Sequence, residues 1–262
     1  MKKKIAITLD SELLKRIDSM GKNRSQIIEN LLLNSLKLES ALILAGRRAF
    51  LDKEYSKAMI PIHGKPVLEH QINMLKKNGI KKITVSIDSE NFDEVKNYFG
   101  NSFNGVSIEY LVETKPLGTA GPIAKFKTNN TFLVINVDTL MNPDISEIYN
   151  FHKKQKTLAT ILLTTANNPR KYGVAKMSGN IIQEFIEKPR NPQSMHINGG
   201  LHIFEPEVIN LIPKRHFMIE ELFDKLIKKG QLSGFPYDGE VFDVGKPEGY
   251  EIAIKKWIDV VI

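Results

Sequence analysis

Lys57 and Asp138 sit where chemistry is first offered along this chain. Lys57 follows "LILAGRRAFLDKEYS", in which an apolar strand runs into a glycine turn at Gly46, and it precedes the Pro-x-x-Gly-Lys-Pro tail of "IPIHGKP". Asp138 ends the apolar stretch "TFLVINVD", where a carboxylate can hold a divalent cation through oxygen. Between them "LGTAG" opens a helix with two glycines, Gly118 and Gly121, at which backbone can approach a base or a phosphate closely. The turn after Gly46 departs from a phosphate cradle, because Arg47 and Arg48 stand where further glycines are expected. A strand-end aspartate also serves as an ordinary turn residue, so position alone leaves both readings open.

The elements around these residues alternate. "ALILA", "KKITVSI", "VSIEYLV" and "TFLVINVD" read as strands, and "VLEHQINMLKKNG", "FDEVKNYFG" and "TAGPIAKFK" between them as helices. That order predicts an α/β fold with a Rossmann-like, mostly parallel sheet covered on both faces. Ligands of such sheets bind beyond the carboxyl ends of the strands, which is where "AGRRAF", "KPLGTAGPI" and "NVDTL" fall. The later stretches "YGVAKM", "IIQEFIEKP" and "GGLHIFEP" are shorter and more polar, as in hairpins attached to the sheet, and two helical stretches close the chain.

The first 38 residues differ from the rest. They carry 8 Lys/Arg and 4 Asp/Glu, so +4 of the chain's net +7 lies in them. Ile5, Ile7 and Leu9 alternate with Lys4, Ala6 and Thr8 as in a half-buried strand. Asp10 stands at an N-cap position, and Leu13, Leu14, Ile17 and Met20 follow at helical spacing. Asn23 and Gln26 then open a second amphipathic helix. One strand and two helices cannot bury this much aliphatic surface alone in about 40 residues, and a second copy of the segment would complete the core. On "KKKIAITLD", "NRSQII" and the glycine between the helices, the segment resembles ribbon-helix-helix repressors. That resemblance implies a homodimer, or a higher even oligomer, on double-stranded DNA. Lys2, Lys4, Ala6 and Thr8 would face base edges and backbone, and Asn23, Arg24 and Ser25 a phosphate. A dimerisation arm with no DNA role is the alternative.

From Ala41 onward the chain resembles sugar-1-phosphate nucleotidyltransferases, above all mannose-1-phosphate guanylyltransferases. The stretches that carry the resemblance are "SKAMIPIHGKPVLEHQI", "ETKPLGTAGPI", "FLVINVDTL", "KYGVAKM", "FIEKP", "INGGLHIFEPEV" and "FDVGKPEGY", in that order. The resemblance implies domains at 1–38 and 41–262, with Asp138 and Asp243 on Mg²⁺ and Lys57 on phosphate. Gly173, Glu187, Lys188 and Asn198 would hold the sugar phosphate, and Gly46, Gly118 and Thr119 the nucleotide. Glu113 falls where it could accept from N1–H and the 2-amino group of guanine, or it is a surface glutamate beside Lys115.

The family's signature loop is about four residues longer and richer in glycine. Its shortening, with Arg47 or Arg48 as the replacement donor on offer, predicts a body that recognises nucleotide but has lost catalytic competence. The expectation is a cytoplasmic DNA-binding transcriptional regulator whose nucleotidyltransferase-like body binds a nucleotide or nucleotide sugar. The alternative is an active, Mg²⁺-dependent sugar-1-phosphate nucleotidyltransferase whose N-terminal module serves oligomerisation or autoregulation. The absence of cysteine excludes thiol chemistry and disulfides, and no apolar run approaches membrane-spanning length.

Overall fold

The structure, a computed structural model, describes residues 6–35, 38–46 and 56–258. Lys2 and Lys4, with Arg47 and Arg48, lie outside the described residues. The chain forms two compact units, Met1–Lys37 and Leu38–Ile262.

In the first unit, helix α1 (Ser11–Ser19) starts because the Asp10 carboxylate accepts the Glu12 N–H at 2.8 Å, supplying a partner for an orphan helix-end donor. Helix α2 (Arg24–Ser35) follows Gly21 and is capped by Asn23, whose Oδ1 accepts the Gln26 N–H at 3.1 Å. Residues 6–10 carry no strand. The strand expected there needs a neighbour for its backbone groups, and the described chain provides none. Two residues expected on DNA are committed locally. Arg24 donates to both carboxylate oxygens of Asp18, at 2.6 and 2.7 Å, and the Asn23 carbonyl oxygen is used by the cap. Ser25 is exposed in the first turn of α2, and Ala6 and Thr8 are exposed ahead of α1.

The second unit opens with β1 (Ser40–Leu44), whose middle residues are fully buried. A single 3₁₀ turn over Lys57–Met59 leads to the small hairpin of β2 (Pro61–Ile62) and β3 (Lys65–Pro66), turned by His63 and Gly64 with positive φ. Helix α3 (Val67–Lys77), β4 (Lys82–Asp88), α4 (Phe92–Phe99), β5 (Ser102–Phe103) and β6 (Val106–Glu113) follow. Then come the short α5 (Gly121–Lys125), β7 (Phe132–Asn136), β8 (Thr139–Leu140), α6 (Ile145–Gln155) and β9 (Ala159–Thr165). The chain continues with β10 (Gly173–Ser178), β11 (Ile181–Glu187) and β12 (His196–Phe204), and then α7 (Ile219–Ile227). It closes with β13 (Leu232–Pro236), β14 (Phe242–Asp243) and α8 (Pro247–Lys256).

Ten strands form one sheet in the order β10-β11-β13-β9-β12-β7-β1-β4-β6-β5. The run β7-β1-β4-β6 is parallel throughout, as the alternation predicts. The other half is not. β12 lies antiparallel to both β7 and β9, and β10 pairs antiparallel with β11 across the Gly179–Asn180 turn. A turn that short can only reverse the chain, whereas parallel neighbours need a long crossover. The sheet is therefore mixed rather than mostly parallel.

Alternate residues of the central strands feed two cores. Ile43, Leu133 and Ile135 pack with α3, α4 and α6 on one face, and Leu42 and Val134 with α5 and α7 on the other. Burial on both faces of β1, β4 and β7, and the pairing of β6 with β4, hold the carboxyl ends of these four strands in fixed register. No helix among the described residues is long and apolar enough to cross a membrane.

Candidate functional site

Those four strand ends converge on one cavity of about 520 Å³, into which Leu44, Asp88, Glu113 and Asn136 all face. Its lining includes Gly46, Lys57, Glu113, Gly118, Thr119 and Asp138. Three chain segments far apart in sequence thus meet beyond the strands' carboxyl ends.

The cationic and anionic groups at one end are already paired. Lys57 Nζ donates to Asp138 Oδ2 at 2.5 Å, with both side chains mostly buried. Asp243, in β14, lies opposite Thr139 of β8, and the Val244 N–H donates to the Asp138 carbonyl at 2.8 Å. The two aspartates are therefore carried by one two-stranded ribbon. Lys246 Nζ holds Asp243 Oδ2 at 2.6 Å and sits 3.8 Å from the centroid of the Tyr172 ring. Gly245 leaves room for the neighbouring acid, since a Cβ there would meet Asp138 Oδ2 at 2.5 Å.

At the other end Glu113 is oriented by two donors. Ser86 Oγ donates to its Oε1 at 2.6 Å and the Leu117 N–H to its Oε2 at 3.2 Å. Gly46 packs beside it, its missing Cβ 3.7 Å from Oε1. Asp88 is turned to local structure, accepting from the N–H groups of Glu90 and Asn91.

Gly118 and Thr119 line the cavity, but their types are set by packing. Gly118 has φ +76°, and a Cβ would meet the Phe217 carbonyl oxygen at 2.5 Å. The Thr119 hydroxyl accepts the Ile219 N–H at 2.9 Å and so caps α7. Gly118, expected to admit a ligand, also admits the backbone of Phe217.

The residues expected to hold a sugar phosphate occupy β10, β11 and β12. Gly173 pairs with Glu187, whose Oε2 would lie 2.8 Å from a Cβ at residue 173. Lys188 turns the chain with φ +47° and lies 3.4 Å from Glu187 Oε1. Glu220, at the start of α7, has its carboxyl pushed up by burial, and the charge of Glu187 adds to the effect. Asn198 begins an irregularity in β12, its Oδ1 accepting from the Gly200 N–H at 2.9 Å and from His202 Nε2 at 3.0 Å. Gly200, with φ +80°, lets that irregularity approach Thr139 Oγ1 and Asn136 Nδ2. The β12 residues thus reach the segment that carries Asp138.

Sequence reasoning passed over Asn136, Met218, Lys246 and Gln71. Lys246 had a local signal, a lysine three residues after an acid in "DVGKP". Gln71 had another, a polar residue on a helix face otherwise given to the core.

Comparison with known proteins agrees with this geometry. The nucleotidyl transferase family matches residues 41–259, and a family of unknown function matches residues 1–60. A mannose-1-phosphate guanyltransferase 2 of Candida glabrata is 35% identical over 206 residues, 74% of this chain and 56% of that protein. The mannose-1-phosphate guanyltransferase of Schizosaccharomyces pombe is 33% identical over 225 residues, 80% of this chain and 62% of its own length. The chain thus spans a little over half the length of the curated relatives it matches. Among solved structures, a Bacillus anthracis protein described as a glucose-1-phosphate thymidylyltransferase, in complex with sucrose, superposes with a TM-score of 0.75 at 26% identity, covering 82% of this chain and 94% of that one. HddC of Yersinia pseudotuberculosis, complexed with GMP-PN, gives 0.71 at 25%, covering 84% and 100%.

These findings overturn the expectation of a DNA-binding transcriptional regulator. Relatives across most of the chain are named as guanylyltransferases, and the first 60 residues match a family with no DNA role attached. Double-stranded DNA has no support as a partner, nor has a dimer. Physically, basic charge and amphipathic helices make a surface without specifying what covers it.

Proposed function

This chain belongs to the nucleotidyl transferase family, and from that premise we propose that its second unit transfers a guanylyl group from GTP to a hexose 1-phosphate, mannose 1-phosphate in the first instance. A phosphate oxygen of the sugar phosphate attacks the α-phosphorus of GTP, the α–β bridging bond breaks, and pyrophosphate leaves with the electron pair. The observation that carries the reading is the single cavity joining Glu113 at one end to the Lys57–Asp138 pair at the other.

Each residue has a separable task. Ser86 and the Leu117 N–H aim the Glu113 carboxylate, which accepts the N1–H and 2-amino hydrogens of guanine and offers a pyrimidine no such match. Lys57 contacts phosphate at the reacting centre. Lys188, just after β11, and Asn198, in β12, whose strands both pair with β10, hold the sugar phosphate in line.

Among the described residues no group of three or more His, Cys, Asp or Glu gathers as a metal cage. Two carboxylates, Asp138 and Asp243, fit Mg²⁺, which takes one or two protein carboxylates and completes its shell with water and phosphate. Bound there, Mg²⁺ would neutralise triphosphate charge. Lys57 and Lys246 each form an ion pair with one of those carboxylates.

The test is pyrophosphorolysis of GDP-mannose with Mg²⁺, beside UDP-glucose and dTDP-glucose. Turnover on the order of 1 s⁻¹ or more with preference for the guanine nucleotide supports the reading. Absence of turnover with all three, or equal use of all three, rejects it. Replacing Glu113 by Gln removes the charged acceptor and should lower kcat/KM for the guanine substrate by about 10- to 100-fold.

A further inference from the structure

We propose that Gln71 is a positioning residue for this site, clamping the backbone on both sides of Asp138 so that its carboxylate stands where cation and phosphate meet. The residue lies on α3, is 2% exposed and lines no part of the cavity. Its amide nitrogen lies within hydrogen-bond distance of the carbonyl oxygens of Asn136 at 2.7 Å, Val137 at 3.1 Å and Thr139 at 2.8 Å, so one of its two hydrogens is shared between two acceptors. The carbonyl between them, that of Asp138, accepts the Val244 N–H at 2.8 Å. Four successive carbonyls are thus occupied, three of them by one side chain. The amide orientation is unique, because the flipped form would press its oxygen against three carbonyl oxygens.

That arrangement has a cost which points to its use. Gln71 Oε1 has no hydrogen-bond partner among the described residues, and a buried carbonyl without a protein donor is unfavourable. Methionine would fill the same space without that cost but could hold none of the three carbonyls. The same helix also anchors the arm that carries Lys57, since the Val67 N–H donates to the Ile60 carbonyl at 2.8 Å. Helix α3 therefore fixes both members of the Lys57–Asp138 pair. Gln71 acts through the segment from Asn136 to Thr139 that carries Asp138, and bonds to no residue at the Glu113 end.

The inference rests on the reading of Asp138 as the carboxylate that faces cation and phosphate. It is tested by GTP binding to the full chain with and without Mg²⁺, measured calorimetrically for the wild type, Gln71→Met, Gln71→Asn and Asp138→Asn. The quantity read is the gain in GTP affinity that Mg²⁺ confers. Outer partners of metal ligands typically change metal affinity about 10- to 100-fold when removed. Both Gln71 variants should therefore lose at least about tenfold of that gain, with Mg²⁺-free GTP affinity unchanged and kcat falling more than KM. A gain kept within about threefold by a folded Gln71 variant, while Asp138→Asn loses it, overturns the role of Gln71 alone. A gain kept by Asp138→Asn removes the assignment of Asp138 and the proposal with it. Folding of each variant is read from the fluorescence of Trp257, which is buried against His70, and the shorter Asn variant serves if Met does not fold.

Discussion

His202 makes the stability of the second unit depend on pH in a way that one substitution should erase. The ring is buried, stacks on Phe204 at 5.8 Å with the planes 25° apart and leans on Phe223 at 5.6 Å. Its Nε2 is bonded to Asn198, and its Nδ1 has no partner among the described residues. Burial drives its pKa down from 6.5 to about 3, because a second ring proton would bring charge into an apolar setting. Between those values the unfolded chain binds a proton at residue 202 that the folded chain refuses, so stability rises with pH across that window and is lost as pH falls. Each unit below 6.5 costs about 1.4 kcal/mol, so moving from about pH 7.5 to about pH 5 should cost roughly 2 kcal/mol at this residue alone. Glu205 does not confuse the result. Burial alone would raise its carboxyl, but hydrogen bonds from His152, Lys153 and Thr131 and the Lys153 charge leave it at about 2. The stability it lends is lost only as pH falls below its ordinary 4.5, and equally in both proteins. The assay is urea unfolding of wild type and His202→Gln at the two pH values, followed through Trp257, the chain's sole tryptophan. Wild type should lose about 2 kcal/mol more than the variant. A difference below about 0.5 kcal/mol would mean that the ring is hydrated or protonated in the folded state, and the argument from burial would be wrong.

Gly245→Ala places a methyl group 2.5 Å from Asp138 Oδ2; turnover should fall about 10- to 100-fold while the melting temperature shifts little. Thr119→Val removes the acceptor of the Ile219 N–H and should cost about 1 kcal/mol of stability, measured by urea unfolding, with KM for nucleotide unchanged. Replacing Arg47 and Arg48 together by alanine should lower kcat about 10²- to 10³-fold if either supplies the donor that the shortened turn otherwise lacks. An unchanged kcat would show that transfer proceeds without one.

Local pattern made one part of this fold readable and left another opaque. β1, β4 and β7 are largely apolar, β6 alternates, and β4, β6 and β7 end in polar residues, so both their existence and the importance of their carboxyl ends could be inferred from order alone. Strand direction could not be, because an apolar run has no polarity of its own. β12 enters antiparallel between β7 and β9, a pairing of residues some 70 apart in the chain (His202 with Val134). Helix α6 and strand β9 also went unrecognised, although Asp144 caps α6 by accepting from Ser146 and Glu147 and "ATILLTT" is a buried run. The DNA reading failed for a different reason: residue type does not reveal commitment. Arg24 counts as free charge in the sequence, but in the fold its guanidinium pairs with Asp18 at the surface, and what overturns the reading is the likeness of the rest of the chain to guanylyltransferases.

The same distinction bears on the cavity's charge. Among the described residues Lys57 and Lys246 are each paired to a carboxylate, Asp138 and Asp243, so both cations are neutralised before any ligand arrives. A triphosphate carries negative charge into a region that already holds two carboxylates, and the lysines can meet it only by letting those carboxylates go. The released acids are then unpaired at partly buried positions, which is unfavourable unless another cation takes them. Triphosphate and divalent cation should consequently bind with strong positive coupling, each weak alone. This follows from the two ion pairs and the ribbon that joins them.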